Sequence, residues 1–345
     1  MQKNNSLLFL GDVVPYKRFK FNNEIKTVIN LECPIYKAGL PQSGKINLSV
    51  NENYLGQIFG QNLFIVSLGN NHIMDYGNEG LESTISELEK LNSSYFGING
   101  SLTGSYNPLV IPFNGISIAF FSVVCQSTSP VLTIDGDYQI STLNVETLID
   151  QVRVIRSSVQ RVVVYIHWGT EESSYPEITE INDARRLIEN GVDIVIGSHA
   201  HAPQPIERYK NGIIAYNLGN FIMPDLVNIP TYFDDKGSPQ STYNKRTMIW
   251  NRISWGIVID MSTLEYRIHK YLFIKNRILR VPFTFLDRYL RLQKVESEEV
   301  YTDQIKRHLT ARAQWRRLIN FILHPHVPEN YRRRFQRRPE DVDKI

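Results

Sequence analysis

The chain has 345 residues, 42% hydrophobic and 21% charged, a composition typical of a globular protein with one large α/β unit or two smaller ones. Its two cysteines, Cys33 and Cys125, lack a Cys-x-x-Cys partner, which argues against a disulfide framework and a structural zinc ribbon. The net charge of +3 is uneven, because residues 276–345 carry +7 and the first 275 residues carry −4.

Three apolar runs near the amino terminus, at residues 7–10, 27–32 and 63–66, predict buried strands. The polar residues at their ends are Asp12, Glu32, and Asn71 with His72. A helix is predicted from Glu79 to Leu91, where apolar residues recur at helical spacing. Because ligands of open α/β sheets bind at the carboxyl ends of strands, these polar residues are candidates for a functional site.

The sequence pattern in the middle of the chain predicts a hairpin followed by a helix. The hairpin covers residues 109–124 and turns through Asn114-Gly115, a favoured two-residue turn. The helix covers residues 145–159, and Asn144 is placed to cap its start.

Three further strands end in polar residues. They are predicted at residues 161–166, 192–196 and 213–216, and a helix over residues 180–190 lies between the first two. The polar residues that follow them are His167, then His199 with His201, then Asn217 and Asn220. Side chains alternate along an extended chain, so we expect His199 and His201 on one face of an extended segment.

Three segments lack a clear period, at residues 36–61, 126–140 and 223–250. We interpret them as irregular surface, a loop over the site and an insertion. An antiparallel pair at residues 253–259 and 266–273 completes the predicted sheets. From about Phe283 the chain becomes helical and rich in arginine, so we predict an α/β domain over residues 1–275 and a basic helical extension over residues 276–345.

The polar strand ends meet on one rim if the strands lie side by side. They are Asp12, Glu32, Asn71, His72, His167, His199 and His201. Carboxylates, a carboxamide and imidazoles suit two divalent metals of intermediate hardness, such as manganese, iron or zinc. Two such metals hold a phosphate and activate water, and an imidazole outside their ligand shells can protonate the leaving group.

Each of these residues alone has a plainer explanation. Asp12 can cap a turn, Glu32 can pair with a lysine, and His167 can be a satisfied histidine at a strand end. Asp75 fits two roles, orienting His72 or capping the turn that follows. Taken together, the seven strand-end residues favour a site, because polar groups seldom gather at strand ends without a role.

Six short motifs occur in a fixed order. They are Gly11-Asp12, Asn30-Leu31-Glu32, Asn70-Asn71-His72 with Asp75 and Gly77, His167-Trp168-Gly169 with Glu171, Gly197-x-His199-x-His201, and Gly219-Asn220-Phe221. Over residues 5–222 this order resembles the CapA family of poly-γ-glutamate capsule biosynthesis proteins, distant relatives of the calcineurin-like metallophosphoesterases. The resemblance implies an α/β sandwich of two mixed sheets flanked by helices, followed here by the helical extension.

The resemblance also implies a role for each residue. It assigns Asp12 and His201 to one metal, His167 and His199 to the other, Glu32 to both, metal binding to Asn71 and catalysis to His72. Asp75 is a further catalytic candidate through the orientation of His72. Candidate substrate contacts are Asn220, Glu171, Lys245 and Arg246. Glu171 is equally compatible with a place behind the ligands, Asn220 with bracing the rim, and a solvated loop is the plainer interpretation of Lys245 and Arg246.

Two departures from the pattern bear on the metals and on location. Phosphoesterases of this type usually have a metal-binding histidine two residues after the first aspartate, where this chain has Val14. CapA proteins often carry an N-terminal membrane anchor, which no apolar stretch of this sequence predicts. We therefore expect a cytoplasmic protein in which one metal is under-ligated, weakly held or absent.

The predicted activity is metal-dependent hydrolysis of a sugar-, lipid- or polymer-linked phosphate in capsule or envelope polysaccharide synthesis. Two alternatives stay open, an enzyme acting on the amide of a γ-glutamyl polymer and a non-catalytic accessory protein. The expected partner is a phosphorylated or anionic small molecule or polymer. No nucleic-acid partner is expected, because no nucleic-acid fold accompanies the basic tail. We interpret that tail as packing on the body or on a second copy, with peripheral contact to the inner face of the membrane as the alternative.

Overall fold

The computed structural model describes residues 5–36, 39–99, 106–128, 130, 133–134, 138–233, 239–282, 284, 287 and 297–323. They belong to two compact units, Met1–Glu298 and Glu299–Ile345. The first unit contains the sheets, and the second contains most of the last helix.

The strands are, in chain order, β1 (Ser6–Val13), β2 (Lys26–Leu31), β3 (Leu63–Ser67), β4 (Ser94–Phe96), β5 (Ile98–Asn99), β6 (Leu109–Phe113), β7 (Ile116–Val124), β8 (Thr133–Ile134), β9 (Tyr138–Ile140), β10 (Arg161–Trp168), β11 (Ile194–His199), β12 (Ile206–Tyr209), β13 (Gly212–Ala215), β14 (Asn220–Ile222), β15 (Leu226–Phe233), β16 (Pro239–Lys245), β17 (Ile253–Asp260), β18 (Tyr266–Ile274) and β19 (Arg277–Arg280). The α-helices are α1 (Leu55–Phe59), α2 (Gly77–Lys90), α3 (Val145–Ile155), α4 (Ile178–Glu189) and α5 (Glu298–Leu323).

Two large mixed sheets organise the first unit. The first sheet has the order β19-β18-β17-β1-β2-β3-β4, and β14 also pairs with β1. Its strands β1 to β4 run parallel, whereas β17 to β19 are antiparallel. The second sheet has the order β12-β13-β11-β10-β7-β6, with a parallel centre from β13 to β7 and antiparallel edges. In both sheets the parallel strands direct their carboxyl ends to the same edge.

The two sheets pack face to face over an apolar layer. Phe9 and Ile257 of the first sheet join Phe120 and Tyr165 of the second in one buried cluster. The rings of Phe9 and Tyr165 are 6.3 Å apart between centroids. Strands that are covered on both faces have continuous apolar runs, which explains the pattern at residues 161–166.

Helices cover the outer faces of both sheets. Leu81 of α2 and Ile58 of α1 belong to a second apolar cluster, together with Leu8 and Ile29 from the face of the first sheet opposite Phe9. On the second sheet, α4 contacts β11 and β13. The predicted α/β architecture of two mixed sheets flanked by helices, with a helical C-terminal segment, is confirmed.

Local predictions from turns and caps are also confirmed. The hairpin of β6 and β7 turns through Asn114-Gly115, with positive φ at both residues. Asn144 caps α3 by accepting a hydrogen bond from the backbone N–H of Thr147 at 3.0 Å. This cap satisfies one of the backbone donors that the first turn of a helix leaves without a partner.

Three segments differ from the sequence-based expectations. The insertion at residues 223–250 contains an antiparallel hairpin of β15 and β16, and the irregular stretch 36–61 contains α1. Strand β19 pairs with β18, so the unit that holds the sheets extends past residue 275. These elements lacked a sequence signal because a five-residue helix is too short to establish a period, and because β19 and the residues of β15 and β16 whose burial is described are exposed or half-buried.

The last helix, α5, has arginine and lysine on exposed positions along with Trp315, which is 59% exposed. Within the part of the chain that the structure describes, every helix is too short or too polar to traverse a lipid bilayer. The predicted helical and arginine-rich extension is described only in part, because residues 324–345 and most of residues 283–296 lie outside the described residues.

Candidate metal centre

The predicted metal ligands meet where the carboxyl ends of the two sheets face each other. Asp12 lies on β1 and Glu32 directly follows β2 in the first sheet, whereas His167 on β10 and His199 on β11 belong to the second. These residues form two groups that share Glu32. Within each group, the donor atoms lie within 4.8 Å of one another. The two groups are Asp12–Glu32–His201 and Glu32–His167–His199.

The first group is held together by Asn30 and by an imidazole. The side-chain N–H of Asn30 donates to Asp12 Oδ1 at 2.9 Å and to Glu32 Oε2 at 2.5 Å. Nδ1 of His201 lies 3.3 Å from Asp12 Oδ2 and 2.9 Å from Asn220 Oδ1. Both carboxylates are completely buried, so their paired negative charges call for cationic compensation.

The second group brings Asn71 beside an imidazole. Nε2 of His167 lies 2.9 Å from Asn71 Oδ1 and 3.6 Å from Glu32 Oε1, and its Nδ1 lies 2.9 Å from the hydroxyl of Ser198. The ring of His199 is 4.8 Å from that of His167, centroid to centroid. The hydroxyl of Ser198 thus leaves Nε2 of His167 facing the other donors, the arrangement that protein metal sites use to orient a histidine.

Two buried atoms in this centre have no hydrogen-bond partner among the described residues. They are Glu32 Oε1 and His199 Nδ1, both members of the second group. A buried carboxylate oxygen or imidazole nitrogen without a partner is costly, and such groups in a native fold need an explanation. A divalent cation bound by both would supply it, so the donor set fits two cations that share Glu32.

Burial and like charges shift the pKa values of these groups. Burial, together with the nearby charge of Asp12, raises the pKa of Glu32 well above its ordinary value. Burial and the neighbouring imidazole of His199 hold the pKa of His167 well below its ordinary value. Burial lowers the pKa of His199 to about 4. Buried imidazoles that stay neutral at pH 7 are competent metal ligands.

Beside the second group, the side chain of Asp75 lies between those of His72 and Lys45 and contacts both. Nδ1 of His72 lies 2.7 Å from Asp75 Oδ2, which also accepts a hydrogen bond from the backbone of Leu48 at 2.7 Å. The ammonium group of Lys45 lies 2.5 Å from Asp75 Oδ1 and donates to the carbonyl oxygen of Asn71 at 2.5 Å. Asp75 is therefore positioned to orient His72, the first of the two roles that the sequence allowed.

The expectation that His199 and His201 share one face of an extended segment is wrong. His199 has a φ of 90° and His201 a φ of 54°, so the backbone turns left-handed at both residues. Their rings come within 5.9 Å through this turn and not through strand alternation. Non-glycine residues in this region carry strain of about 1–3 kcal/mol each, which persists where the surroundings fix the backbone.

A lysine from the hairpin reaches the loop that follows β10. Nζ of Lys245 lies 2.8 Å from Glu171 Oε2 and 3.2 Å from Glu172 Oε1, and its side chain is 19% exposed. Lys245 is thus held by two carboxylates, and the solvated-loop interpretation is wrong for this residue. The adjacent Arg246 is exposed. Lys245 holds the pKa of Glu171 below its usual range, and His201 acts in the same direction.

Two further residues bear on the first group. Asn220 is 2% exposed and lies opposite Asp12 in the parallel pairing of β1 and β14, so its carboxamide faces the group from inside the protein. Val14 is buried in the apolar cluster on the face of the first sheet that α1 and α2 cover. The position of the usual second histidine therefore contributes no donor.

Sequence reasoning missed four residues that hold the centre together. They are Asn30, Lys45, Ser198 and Asn251. Asn30 had a usable signal, because it lies two residues before Glu32 on a strand and so shares its face. Lys45 and Asn251 lie in segments without a period, and their contacts are set only by the tertiary fold.

Residues 12–225 match the family described as bacterial capsule synthesis protein PGA_cap. The chain belongs to this family. The resemblance to CapA proteins that the six motifs predicted is confirmed, and all the predicted metal ligands fall within the matched region.

Named relatives of this PGA_cap chain include two CapA proteins. The PGA biosynthesis protein CapA of Bacillus subtilis is 30% identical over 196 residues, 56% of this chain and 52% of that protein. The capsule biosynthesis protein CapA of Bacillus anthracis is 27% identical over 181 residues, 51% of this chain and 44% of that protein. The chain thus spans about half the length of these relatives. A solved 5′-nucleotidase precursor from Thermus thermophilus aligns with a TM-score of 0.33 and 15% identity over 73% of this chain and 43% of that one.

Proposed function

We propose that this protein is a two-metal phosphoesterase that acts on a sugar-, lipid- or polymer-linked phosphate in capsule or envelope polysaccharide synthesis. The observation that carries the proposal is the sharing of Glu32 between two groups of buried donors. A single carboxylate between two donor groups is what a pair of adjacent cations requires. Family membership supplies the capsule context.

The residues divide between two cation positions. Asp12, Glu32 and His201 would hold the first cation, and Glu32, Asn71, His167 and His199 would hold the second. Two bound divalent cations of the manganese, iron or zinc type would polarise a phosphate group and promote ionisation of water. With three donors against four, and Val14 turned into the apolar core, the first position is the weaker one.

His72 supplies the proton for the leaving oxygen. Because Nδ1 of His72 faces Asp75, its Nε2 is the nitrogen that remains for a substrate, and the side chain is 11% exposed. Asp75 fixes the orientation of the ring, the usual role of a carboxylate behind a catalytic imidazole. Lys45 holds Asp75 in place from the opposite side.

Substrate contacts are proposed at the rim formed by Glu171 and Lys245. Lys245 retains some exposure, because its side chain is 19% exposed. An incoming anionic group would compete with Glu171 and Glu172 for this lysine. Arg246 follows it on the exposed side and is retained as a second, outer contact for a polymer.

A second candidate is hydrolysis of the amide bond in a γ-glutamyl polymer. It is favoured by the name of the Bacillus subtilis relative, a PGA biosynthesis protein. The same cations would polarise an amide carbonyl, and His72 would protonate a leaving amine. The two candidates share every residue of the site and differ only in the bond that is cleaved.

Elemental analysis combined with two chromogenic substrates tests the proposal. We expect up to two equivalents of manganese, iron or zinc, and turnover of an aryl phosphate that falls about 10²–10⁴-fold in His72→Gln with metal content unchanged. The control is His269→Gln, a partly buried histidine on β18 whose ring contacts Tyr271. Turnover of a γ-glutamyl anilide in place of the phosphate would favour the second candidate. Absence of both metal and turnover would favour an accessory role and contradict the proposal.

A further inference from the structure

His201 is part of a closed ring of three hydrogen bonds. Its Nδ1 lies 2.9 Å from Asn220 Oδ1. The side-chain N–H of Asn220 donates to the backbone carbonyl of Asn251 at 3.0 Å, and the side-chain N–H of Asn251 donates to the backbone carbonyl of His201 at 2.9 Å. The ring therefore holds this histidine by both its side chain and its backbone.

The ring also fixes which way each carboxamide points. Backbone carbonyls only accept hydrogen bonds, so Asn220 and Asn251 must each turn an N–H towards the carbonyl that they contact. Once Asn220 has turned its nitrogen to Asn251, its oxygen is the atom that faces His201. Both asparagines are at most 3% exposed, so water does not compete for these contacts.

An oxygen that faces Nδ1 determines the tautomer of His201. Asn220 Oδ1 and Asp12 Oδ2 both lie near Nδ1, and both are acceptors, so Nδ1 carries the proton. The lone pair of the neutral ring is then on Nε2. A cation bound to Asp12 would withdraw Oδ2 from this contact, which leaves Asn220 as the acceptor that keeps the tautomer.

We propose that Asn220 and Asn251 are positioning residues that hold His201 with its proton on Nδ1 and its Nε2 lone pair free for the first cation. The proposal rests on the proposed function only in taking His201 as a cation ligand. It gives Asn220 a role other than the substrate contact predicted from the sequence, and it gives Asn251 a role that no motif indicated. The backbone bond from Asn251 also explains how the left-handed conformation at His201, with a φ of 54°, is maintained.

The tautomer is measurable without metal and without substrate. In metal-free protein labelled with ¹⁵N-histidine, long-range ¹H–¹⁵N spectra at pH 8 distinguish an imidazole protonated on Nδ1 from one protonated on Nε2. His201→Gln identifies the signal by removing it. We expect His201 to be fully protonated on Nδ1 in the wild type and to populate the Nε2-protonated form only in part in Asn220→Leu, where Asp12 Oδ2 at 3.3 Å is the acceptor that remains without metal. Asn220→Asp, which retains an acceptor oxygen, should keep the proton on Nδ1.

Manganese titration by calorimetry tests the effect on the cation. We expect Asn220→Leu and Asn251→Leu to weaken one of two binding events about 10–100-fold and to change the other by less than about threefold. The matched control is Ser198→Ala, which removes the partner of His167 Nδ1 and should weaken the other event instead.

The two measurements separate the possible failures. A wild-type His201 protonated on Nε2 overturns the proposal whether or not the protein binds metal. Equal weakening of both binding events by Asn220→Leu also overturns it. If the wild type binds no manganese but has the Nδ1 proton, the two-metal function fails while the hydrogen-bond ring stands. Should the leucine variants not fold, the wild-type spectrum and Asn220→Asp still decide the tautomer.

Discussion

Glu32 Oε1 lies 3.6 Å from His167 Nε2, although the two residues come from different sheets. Glu32 follows β2 of the first sheet and His167 lies on β10 of the second. The donors of the centre thus span the layer between the sheets, and each sheet contributes part of the ligand set. A cation bound there would link the two halves of the sandwich.

The first prediction follows from this link, and it is that divalent cations stabilise the fold. A ligand at 100 times its Kd stabilises the native state by about 2.7 kcal/mol, because it binds the folded and not the unfolded chain. We expect added manganese to raise the Tm of the metal-free protein, measured by calorimetry, and chelator to reverse the rise. His167→Gln should lose most of the rise and His269→Gln should keep it. An unchanged Tm at millimolar manganese would contradict the prediction.

The second prediction concerns Lys45, which pairs with a completely buried aspartate. Lys45→Met keeps the length of the side chain but removes the charge that compensates Asp75. Since a hydrogen bond to a charged group contributes about 1.5–3 kcal/mol, we expect a loss of that size in urea unfolding. We also expect kcat to fall more than KM changes, because Asp75 orients His72.

Lys45→Arg serves as the control for that substitution. It retains the positive charge in the same loop and should recover most of the stability lost in Lys45→Met. Equal stability of the wild type and Lys45→Met would mean that the remaining contacts of Asp75, with His72 and Leu48, suffice.

The sequence predicted the ends of the buried strands well, and the reason is the contrast between their apolar runs and the polar residues that follow. Buried parallel strands are continuous apolar runs, so the first polar residue after each run is visible, as at Asp12 and His167. Parallel strands bring those ends to one edge within each sheet, so Asp12 could be expected near Glu32, and His167 near His199. The approach of Glu32 to His167 joins the two sheets, so it depends on how the sheets pack and not on strand order alone.

The sequence did not predict the contacts made by segments in which apolar residues recur with no clear period. In the hairpin that carries Lys245, the side chains whose burial is described are exposed or half-buried, so its strands have no apolar run to detect. Asn251 reaches His201 from a short helical turn 50 residues away. The left-handed backbone at His199 and His201 is equally unpredictable, because it is imposed by tertiary contacts against the preference of the residues.

The third prediction is that Glu180→Gln stabilises the fold, and that the stabilisation depends on pH. Glu180 belongs to a capping box at the start of α4, where Oε2 accepts a hydrogen bond from the backbone of Glu177 at 2.9 Å. Burial, with the nearby charge of Glu177, raises the pKa of Glu180 to about 8 from 4.5. The folded state therefore holds a proton that the unfolded state releases above pH 4.5. The stability that this group contributes is complete below pH 4.5 and is lost as the pH rises through 8.

Glutamine keeps the capping oxygen and has no proton to lose. We expect Glu180→Gln to have about the same free energy of unfolding as the wild type at pH 4.5. By pH 8 we expect it to be more stable than the wild type by on the order of 3 kcal/mol, measured by urea unfolding across that range. Glu177→Gln removes the nearby charge but not the burial that raises the pKa of Glu180, so it should show a smaller gain over the same pH range. A stability difference that does not vary with pH would refute the prediction.

The last prediction concerns the close approach of Gly11 to Gly219, which brings Asp12 beside Asn220. A Cβ at Gly11 would lie 1.9 Å from the carbonyl oxygen of Gly219, and that oxygen accepts the hydrogen bond from the backbone of Asp12 at 3.0 Å. Gly11→Ala must therefore push β14 from β1 and move both ends of the metal centre apart. Because backbone atoms cannot move aside as the end of a side chain can, we expect the free energy of unfolding, measured in urea, to fall by about 3 kcal/mol or more. We also expect the folded fraction of this variant to bind manganese more weakly than the wild type does.

Gly56→Ala in α1 is the matched control, because its Cβ would meet only the tip of Leu91 and alanine is favoured over glycine in a helix. Similar stabilities for the two variants would show that β1 and β14 can separate without cost to the centre.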